Sequence, residues 1–394
     1  MKKIFLQYII VSLVILAVGG CQDDFMREET IGEGEASISV TLDFKPMSSA
    51  LARTRSAGDA LKDIESLHVL LYKEDKNLIK CWQITEYKGS EENRVDTDAE
   101  NGHSAETKTK QATFRLPEKI DFGKYYMYVV ANIPGLHTTY SEAIKTVDGL
   151  KNISLEWNSE KVTANGQMIG CLTTGTTSIP TENELLILNE NSQKLHAWLR
   201  RAASKVTVAF DGSGLKEGIS IYFKALRIKN IPKSCKLGTE NAVTSEESLI
   251  QTGEEVVYSE SENFDATYPA LITKDQPYYP GEQKPGEDGS MSWVMAADAH
   301  SETNPKSLFF YENMQGEGTD KSAVADENKD GLQDNPYVKG KEFGTYIEVD
   351  AYYESTNPQR PGISDITYRF MLGQDVKTDY NAKRNCHYLS LIHI

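Results

Sequence analysis

The sequence predicts an all-β protein made of two β-sandwiches in tandem. Short segments in which apolar and polar residues alternate recur along the chain, long polar segments separate them, and no regular βαβ order appears. A second set of alternating strands begins at Lys205, so we expect the boundary near residues 199–204. This change places the two sandwiches at residues 37–203 and 204–394.

A lipoprotein signal precedes the first strand. Lys2 and Lys3 are followed by an apolar run and then by Val-Gly-Gly-Cys, which ends at Cys21. The alternative, a membrane-spanning helix, would need roughly 20 apolar residues, and this run is shorter. We expect residues 1–20 to be removed, Cys21 to be lipidated, and residues 21–36 to form an acidic tether. The acidic residues either signal export to the cell surface or act as a solvated linker.

The first strand has one apolar face and one polar face. Its apolar residues are Ile38, Val40, Leu42 and Phe44. Alternation places these side chains together, so we expect them to be buried. Pro46 ends the strand, and the small-residue segment that follows carries Arg53 and Arg55 and is predicted to be exposed. A cut by a trypsin-like protease there would separate the complete strand from the rest of the domain.

The other strands of the first sandwich are predicted from the same pattern. They lie at residues 64–72, 78–84, 112–116, 124–132 and 167–171. The first of them is mostly apolar, which favours an interior position in a sheet, and a polar turn joins it to the next as a hairpin. Residues 90–110 lack periodicity and are predicted to be a surface loop, whereas residues 141–150 are predicted to contain a short helix.

The second sandwich repeats this style. Its strands are predicted at residues 205–210, 219–228, 308–311, 346–353 and 366–372, and residues 238–290 form a long polar stretch between them. The final residues 389–394 (Leu-Ser-Leu-Ile-His-Ile) are what a transposon-end sequencing adapter would encode. We therefore expect the readable native sequence to stop at Tyr388 and the sandwich to be truncated; a genuine last strand is the alternative.

Composition excludes some classes of function. The formal net charge of −16 becomes −18 once Lys2 and Lys3 are removed with the signal, so nucleic acid is not an expected partner. Four further cysteines are widely spaced: Cys81, Cys171, Cys235 and Cys386. Without a Cys-x-x-Cys pair they do not predict a zinc site, and they leave one or two disulfides open.

Catalysis has little support. The histidines before residue 389 are His68, His103, His137, His196, His300 and His387. None lies in a zinc-binding pattern, and the sequence has neither a Gly-x-Ser-x-Gly elbow nor a glycine-rich phosphate loop, so no enzyme activity is predicted. A glycoside hydrolase is the alternative, because carboxylates are abundant and their spacing does not show whether two of them converge. The tryptophans are Trp82, Trp157, Trp198 and Trp293. We expect them mostly in the core; a sugar-binding platform is the alternative.

One acidic segment has the spacing of a calcium loop. Its oxygen-bearing side chains are Asp326, Asn328, Asp330 and Asp334. An EF-hand needs a bidentate glutamate at the twelfth position, and Tyr337 stands there. The segment therefore predicts either an incomplete calcium site, completed by Asp334 or by carbonyls, or an acidic turn between strands. No other cofactor is predicted.

Four segments resemble recurring motifs of fimbrillin-like lipoproteins, the subunits and anchors of type V pili in Gram-negative gut and oral anaerobes. They are residues 126–132 (Tyr-Met-Tyr-Val-Val-Ala-Asn), 199–208 (Leu-Arg-Arg-Ala-Ala-Ser-Lys-Val-Thr-Val), 311–316 (Tyr-Glu-Asn-Met-Gln-Gly) and 379–388 (Asp-Tyr-Asn-Ala-Lys-Arg-Asn-Cys-His-Tyr). The resemblance implies two transthyretin-like β-sandwich domains and secretion as a lipoprotein to the surface of the outer membrane. In polymerising members it also implies cleavage by an arginine-specific protease in the loop after the first strand.

Cleavage in such members removes the first strand, and the vacated groove accepts a strand from the next subunit. Arg53 and Arg55 occupy the matching loop here, although two arginines in a polar loop are also ordinary. The resemblance thus implies a fimbrial structural or adhesin subunit whose partners are other pilus subunits and a host or bacterial surface receptor. The alternatives are an uncleaved anchor or tip protein and a surface lipoprotein that binds glycans without polymerising.

Overall fold

The computed structural model describes residues 31–44, 48–49, 64–95, 106–174, 184–296, 307–318, 341–374 and 378–394. These residues are mostly β-strand, which confirms the predicted all-β class. The helical segments within them are α1 (Leu136–Thr139), α2 (Val147–Lys151) and the 3-10 turns Ala143–Lys145, Val162–Asn165 and Glu246–Ser248. No helix in this described part is long and apolar enough to cross a membrane.

The strands of the first half of the chain are β1 (Glu35–Phe44), β2 (Ser48–Ser49), β3 (Leu67–Lys73), β4 (Leu78–Gln83), β5 (Lys88–Val95), β6 (Glu106–Arg115), β7 (Ile120–Asp121), β8 (Gly123–Ala131), β9 (Ser154–Glu156), β10 (Met168–Thr173), β11 (Leu186–Leu188) and β12 (Ser192–Arg201). Those of the second half are β13 (Ala203–Asp211), β14 (Ile219–Pro232), β15 (Ser234–Lys236), β16 (Leu249–Val257), β17 (Leu271–Thr273), β18 (Tyr278–Tyr279), β19 (Gly281–Pro285), β20 (Met291–Met295), β21 (Ser307–Tyr311), β22 (Asn313–Glu317), β23 (Tyr346–Ser355), β24 (Gly362–Met371), β25 (Asp379–Ala382) and β26 (Cys386–His393).

The first half forms a continuous series of paired strands in the order β4-β3-β8-β10-β12-β1-β6-β5, with β11 beside β8 and β7 beside β1. Alternation along these strands directs one apolar set inward, where Val69, Val129 and Leu195 share a buried core with residues of β1. Strand β3 lies between β4 and β8, so its predicted interior position is confirmed. The predicted β3–β4 hairpin is also confirmed.

The second half forms two main sheets. One has the order β18-β13-β26-β2 with β21 also beside β13, and the other has the order β16-β14-β23-β24 with β17 also beside β14. Phe210 of β13 and Phe223 of β14 are both fully buried, and their rings stack with centroids 3.7 Å apart. Aromatic stacking of this kind joins the two sheets across their common core.

Contacts also connect the two halves. Strand β9 pairs with β15, and one buried cluster contains Tyr72 and Tyr128 of the first half together with Tyr311 of the second. Strand β12 ends at Arg201 and β13 begins at Ala203, close to the predicted boundary. The division into domains at residue 203 stays a prediction.

Two polar segments contain strands that the sequence pattern did not predict. The expected loop at residues 90–110 contains parts of β5 and β6, which pair antiparallel. The polar stretch 238–290 contains β16, β17, β18 and β19. Backbone hydrogen bonds to neighbouring strands hold these segments in the extended conformation. They lack the alternation of apolar and polar residues from which a strand is predicted. Within 141–150 the helical structure is broken into a 3-10 turn and the start of α2, where the Thr146 side chain accepts a hydrogen bond from the Gly149 amide.

The end of the chain is paired in the sheet. Strand β26 includes residues 389–393 and runs parallel to β13, with Leu391 opposite Ala209. Leu391 is nevertheless exposed, whereas Tyr388, the residue at which we expect the native sequence to end, is buried. The adapter origin of residues 389–394 stays a prediction.

Candidate strand-exchange site

Strand β1 is an interior strand that closes the first half of the fold. It runs parallel to β12 and antiparallel to β6, with Val40 opposite both Leu195 and Phe114. At its start Ala36 pairs with Ile120 of β7. Interior pairing satisfies backbone hydrogen-bonding groups along both edges of β1, and its loss would leave two unpaired edges facing each other.

The predicted apolar face of β1 is buried. Relative exposure is 0% for Ile38, 1% for Val40 and 0% for Leu42, so the burial expected for these side chains is confirmed. Ala36 belongs to the same face, is also fully buried, and was missed because a small residue at the end of an alternating run carries little signal. Phe44 is the last residue of β1; its side chain lies outside what the structure describes.

The surface on which this face lies is itself apolar. The buried side chains from the two neighbouring strands are Ala112 and Phe114 of β6 and Leu195, Ala197 and Leu199 of β12. They belong to the same core cluster as the apolar residues of β1. Removal of β1 would therefore create an apolar groove between two hydrogen-bonding strand edges, which is the geometry that accepts an added strand.

The other face of β1 carries a buried polar contact. The Nε2 atom of His196 on β12 lies 2.7 Å from Oδ2 of Asp43, and the two residues are only 4% and 8% exposed. The His196 ring also packs edge-on against Trp198, with centroids 5.3 Å apart. The pair was not predicted, because Asp43 occupies the polar face of an alternating strand, where a solvent-exposed carboxylate is the usual outcome.

The segment after β1 leaves the first sheet. Strand β2 runs parallel to β26 of the second half, with Ser48 opposite Cys386. The arginines of the predicted protease site, Arg53 and Arg55, lie outside the described residues, as does the predicted lipidation site Cys21. Protease processing and lipidation therefore stay predictions.

The calcium interpretation is not tested by the structure. The predicted ligands Asp326, Asn328, Asp330 and Asp334 all lie outside the described residues. Within the described ranges, no group of three or more His, Cys, Asp or Glu residues is arranged to hold a metal ion.

The tryptophans considered for a sugar platform are buried or partly buried. Trp82 and Trp157 are buried in the core, as predicted, and Trp198 and Trp293 are partly buried. One parallel pair of half-buried rings is Phe264 on Tyr352, with centroids 4.1 Å apart. Each of these rings directs one face at the other, so those two faces are not available to a sugar ring.

Residues 36–196 match the protein-family model described as "Major fimbrial subunit protein (FimA)". The match begins in β1 and ends at His196 within β12, so it contains β1, β6 and the first part of β12. Over these residues the chain is similar to major fimbrial subunits. The fimbrillin-like resemblance predicted from the sequence motifs is confirmed by this match, which supports a fimbrial role.

Other comparisons of the chain give a second family model and several solved structures. Residues 308–391 match a model described as a domain of unknown function, DUF4906. The tip fimbrial protein Mfa3 of Porphyromonas gingivalis, with a C-terminal truncation, is 12% identical, with a TM-score of 0.40 over 91% of this chain and 95% of that chain. A fimbrial assembly protein of Parabacteroides distasonis is 12% identical, with a TM-score of 0.36 over 85% and 100%. The fimbrial anchor protein Mfa2 of Porphyromonas gingivalis is 12% identical, with a TM-score of 0.25 over 84% and 83%. No curated protein matches the chain.

Proposed function

We propose that the chain is a fimbrillin-like pilus subunit that assembles by exchanging β1 for a strand of another subunit. Cleavage after Arg53 or Arg55 would separate β1 from the chain, because both arginines lie between β1 and β3. The observation that carries the proposal is the position of β1. It is an interior strand with a buried apolar face, yet the chain connects it to β3 through the segment that contains these arginines.

The physical reason for exchange is the state of the groove after cleavage. Side chains such as Leu195 and Phe114 would face water together with the unpaired amides and carbonyls of β12 and β6. An apolar surface attracts many ligands, but a β-strand also pairs with both edges, and this combination favours a strand as the incoming partner.

The proposal has consequences for location and partners. Lipidation of Cys21 would hold the newly secreted chain at the outer membrane, and cleavage would release the folded part from that anchor into the fimbrium. The strand would come from another pilus subunit, and a surface receptor would be contacted by the assembled fimbrium. No catalytic step and no cofactor is part of this function.

The test is the mature N-terminus of the protein recovered from the cell surface. Mass and N-terminal sequencing should give a start at Thr54 or Ser56 in assembled subunits. The double variant Arg53→Lys and Arg55→Lys keeps the charge but removes the arginine-specific sites, and should give monomers. Arg360→Lys, in the exposed turn between β23 and β24 and away from the groove, is the matched control and should assemble normally. A lipidated Cys21 start in assembled wild-type protein would refute exchange of β1 and favour an uncleaved anchor or tip role.

A further inference from the structure

The contact between Asp43 and His196 joins the exchangeable strand to a strand that remains. A carboxylate only accepts hydrogen bonds, so Nε2 of His196 carries the hydrogen and donates it to Oδ2 of Asp43. In the strand register Asp43 is opposite Trp198 and His196 is opposite Thr41, so the bond runs diagonally across the parallel pair. When β1 leaves, Asp43 leaves with it and His196 stays.

His196 depends on the incoming strand for the acceptor that Asp43 provides. Its second ring nitrogen, Nδ1, is buried and has no hydrogen-bond partner among the described residues. Asp43 is therefore the side chain that satisfies this ring in the described part of the fold. A strand that fills the groove without an acceptor at that position would leave Nε2 buried and without the partner it has here, which is energetically costly.

We propose that His196 makes the vacated groove selective for a strand that carries a carboxylate at the position of Asp43. This inference rests on the proposed function, because it specifies which strand the groove accepts. The partner is a strand from another subunit with alternating apolar residues at the positions of Ile38, Val40 and Leu42, and with Asp or Glu directly after the third of them. The apolar positions provide general affinity, whereas the carboxylate distinguishes one alternating strand from another.

The size of the effect follows from the burial of the pair. Leaving a buried hydrogen-bonding group without its partner weakens binding about 10- to 100-fold. An amide at the same position can still accept a hydrogen bond but lacks the charge that strengthens it, so its effect should be smaller. A lysine offers donors and no acceptor, and its ammonium group would also have to be desolvated. Subunits with an apolar or basic residue there would be disfavoured even when their apolar pattern fits.

The experiment uses the full chain cleaved after Arg53 or Arg55, and fluorescent peptides with the sequence of residues 35–44. Uptake of each peptide in dilute urea is measured by fluorescence anisotropy. The wild-type peptide should bind about 10- to 100-fold more tightly than the Asp43→Leu peptide, and the Asp43→Asn peptide should fall between them. A Ser39→Ala peptide is the matched control, because Ser39 lies on the same face of β1 and should bind within about twofold of wild type.

Two variants of the cleaved protein complete the cycle. His196→Leu and His196→Phe should each lose the preference for the wild-type peptide, and should bind the Asp43→Leu peptide at least as tightly, because the discriminating donor is gone. Two variants are used so that a folding defect in one does not decide the result. The comparison of the wild-type and Asp43→Leu peptides on the wild-type protein does not depend on either variant. Equal binding of the wild-type and Asp43→Leu peptides to the wild-type protein would overturn this inference alone. Failure of every peptide to bind would overturn the proposed function and this inference together.

Discussion

Shortening Leu42 to alanine should destabilise the intact protein because its side chain fills the core beneath the exchangeable strand. Leu42 is 0% exposed, and its partners in the strand register are Ala112 on β6 and Ala197 on β12. A buried Leu→Ala change costs about 2–5 kcal/mol, and more where neighbours cannot fill the cavity. The methyl side chains of these two alanines are too short to fill the cavity left by Leu42, so we expect the free energy of unfolding to fall by about 3–5 kcal/mol.

The assay is urea unfolding of the uncleaved chain, followed through the transition of its N-terminal strands. Thr41→Ala is the matched control, because Thr41 lies on the opposite face and its replacement should cost about 1 kcal/mol through lost β-propensity. After cleavage and removal of β1, the Leu42→Ala and wild-type proteins should become indistinguishable, because the altered residue has left. Equal destabilisation by Leu42→Ala and Thr41→Ala in the uncleaved chain would refute the assignment of Leu42 to a tightly packed core.

Two further predictions concern other buried polar groups. Burial, with the nearby charge of His137 as a smaller cause, lowers the pKa of His68 from 6.5 to about 4. Between these pKa values the unfolded chain binds a proton that the folded chain does not, so the free energy of unfolding should fall by about 1.5 kcal/mol between pH 6.5 and pH 5. In calorimetric scans His68→Leu should reduce this acid dependence, whereas His137→Gln should largely keep it. An unchanged dependence in His68→Leu would contradict the assignment. The guanidinium of Arg384 is paired with Glu312 at 2.7 Å, with both side chains at most 5% exposed. Arg384→Ala would leave the Glu312 carboxylate buried without its guanidinium and should lower the free energy of unfolding in urea by about 3–5 kcal/mol. The control Lys224→Gln removes an exposed ion pair with Asp365 and should lower it by under about 1 kcal/mol. Similar decreases in the two variants would show that burial does not set the energetic cost of losing an ion pair.

The strands predicted well from the sequence are those whose buried side chains are mostly apolar. Strands β1, β3, β8 and β13 all carry apolar runs, which alternate with polar residues in β1 and are nearly continuous in β3, and their predicted bounds agree with the structure to within a few residues. Strands β5 and β16 were missed for the converse reason. Their sequences, rich in polar residues, take their conformation from backbone pairing with β6 and β14, and such pairing partners cannot be identified from a single segment.

The candidate site was predictable only in part. The apolar face of β1 follows from alternation, but the burial of Asp43 depends on its contact with His196, which lies 153 positions further along the chain. No local pattern indicates such a contact, because an aspartate on the polar face of a strand and a histidine in a mixed apolar and basic segment are each ordinary. The pair emerges only when β12 is placed parallel to β1.

That parallel placement also explains why β1 is suited to exchange. A strand in a hairpin is bound to its neighbour through a short turn, but parallel partners must come from distant parts of the chain, and here β1 has β12 on one side and β6 on the other. The β10–β12 and β5–β6 pairings do not involve β1 and would keep their own hydrogen bonds without it. Among the described strands, β1 is the one that joins these two pairings into a single series. A strand that replaces β1 must therefore pair with both β12 and β6, which is a stricter requirement than adding to an open sheet edge. This requirement favours an incoming strand that alternates as β1 does and runs parallel to β12.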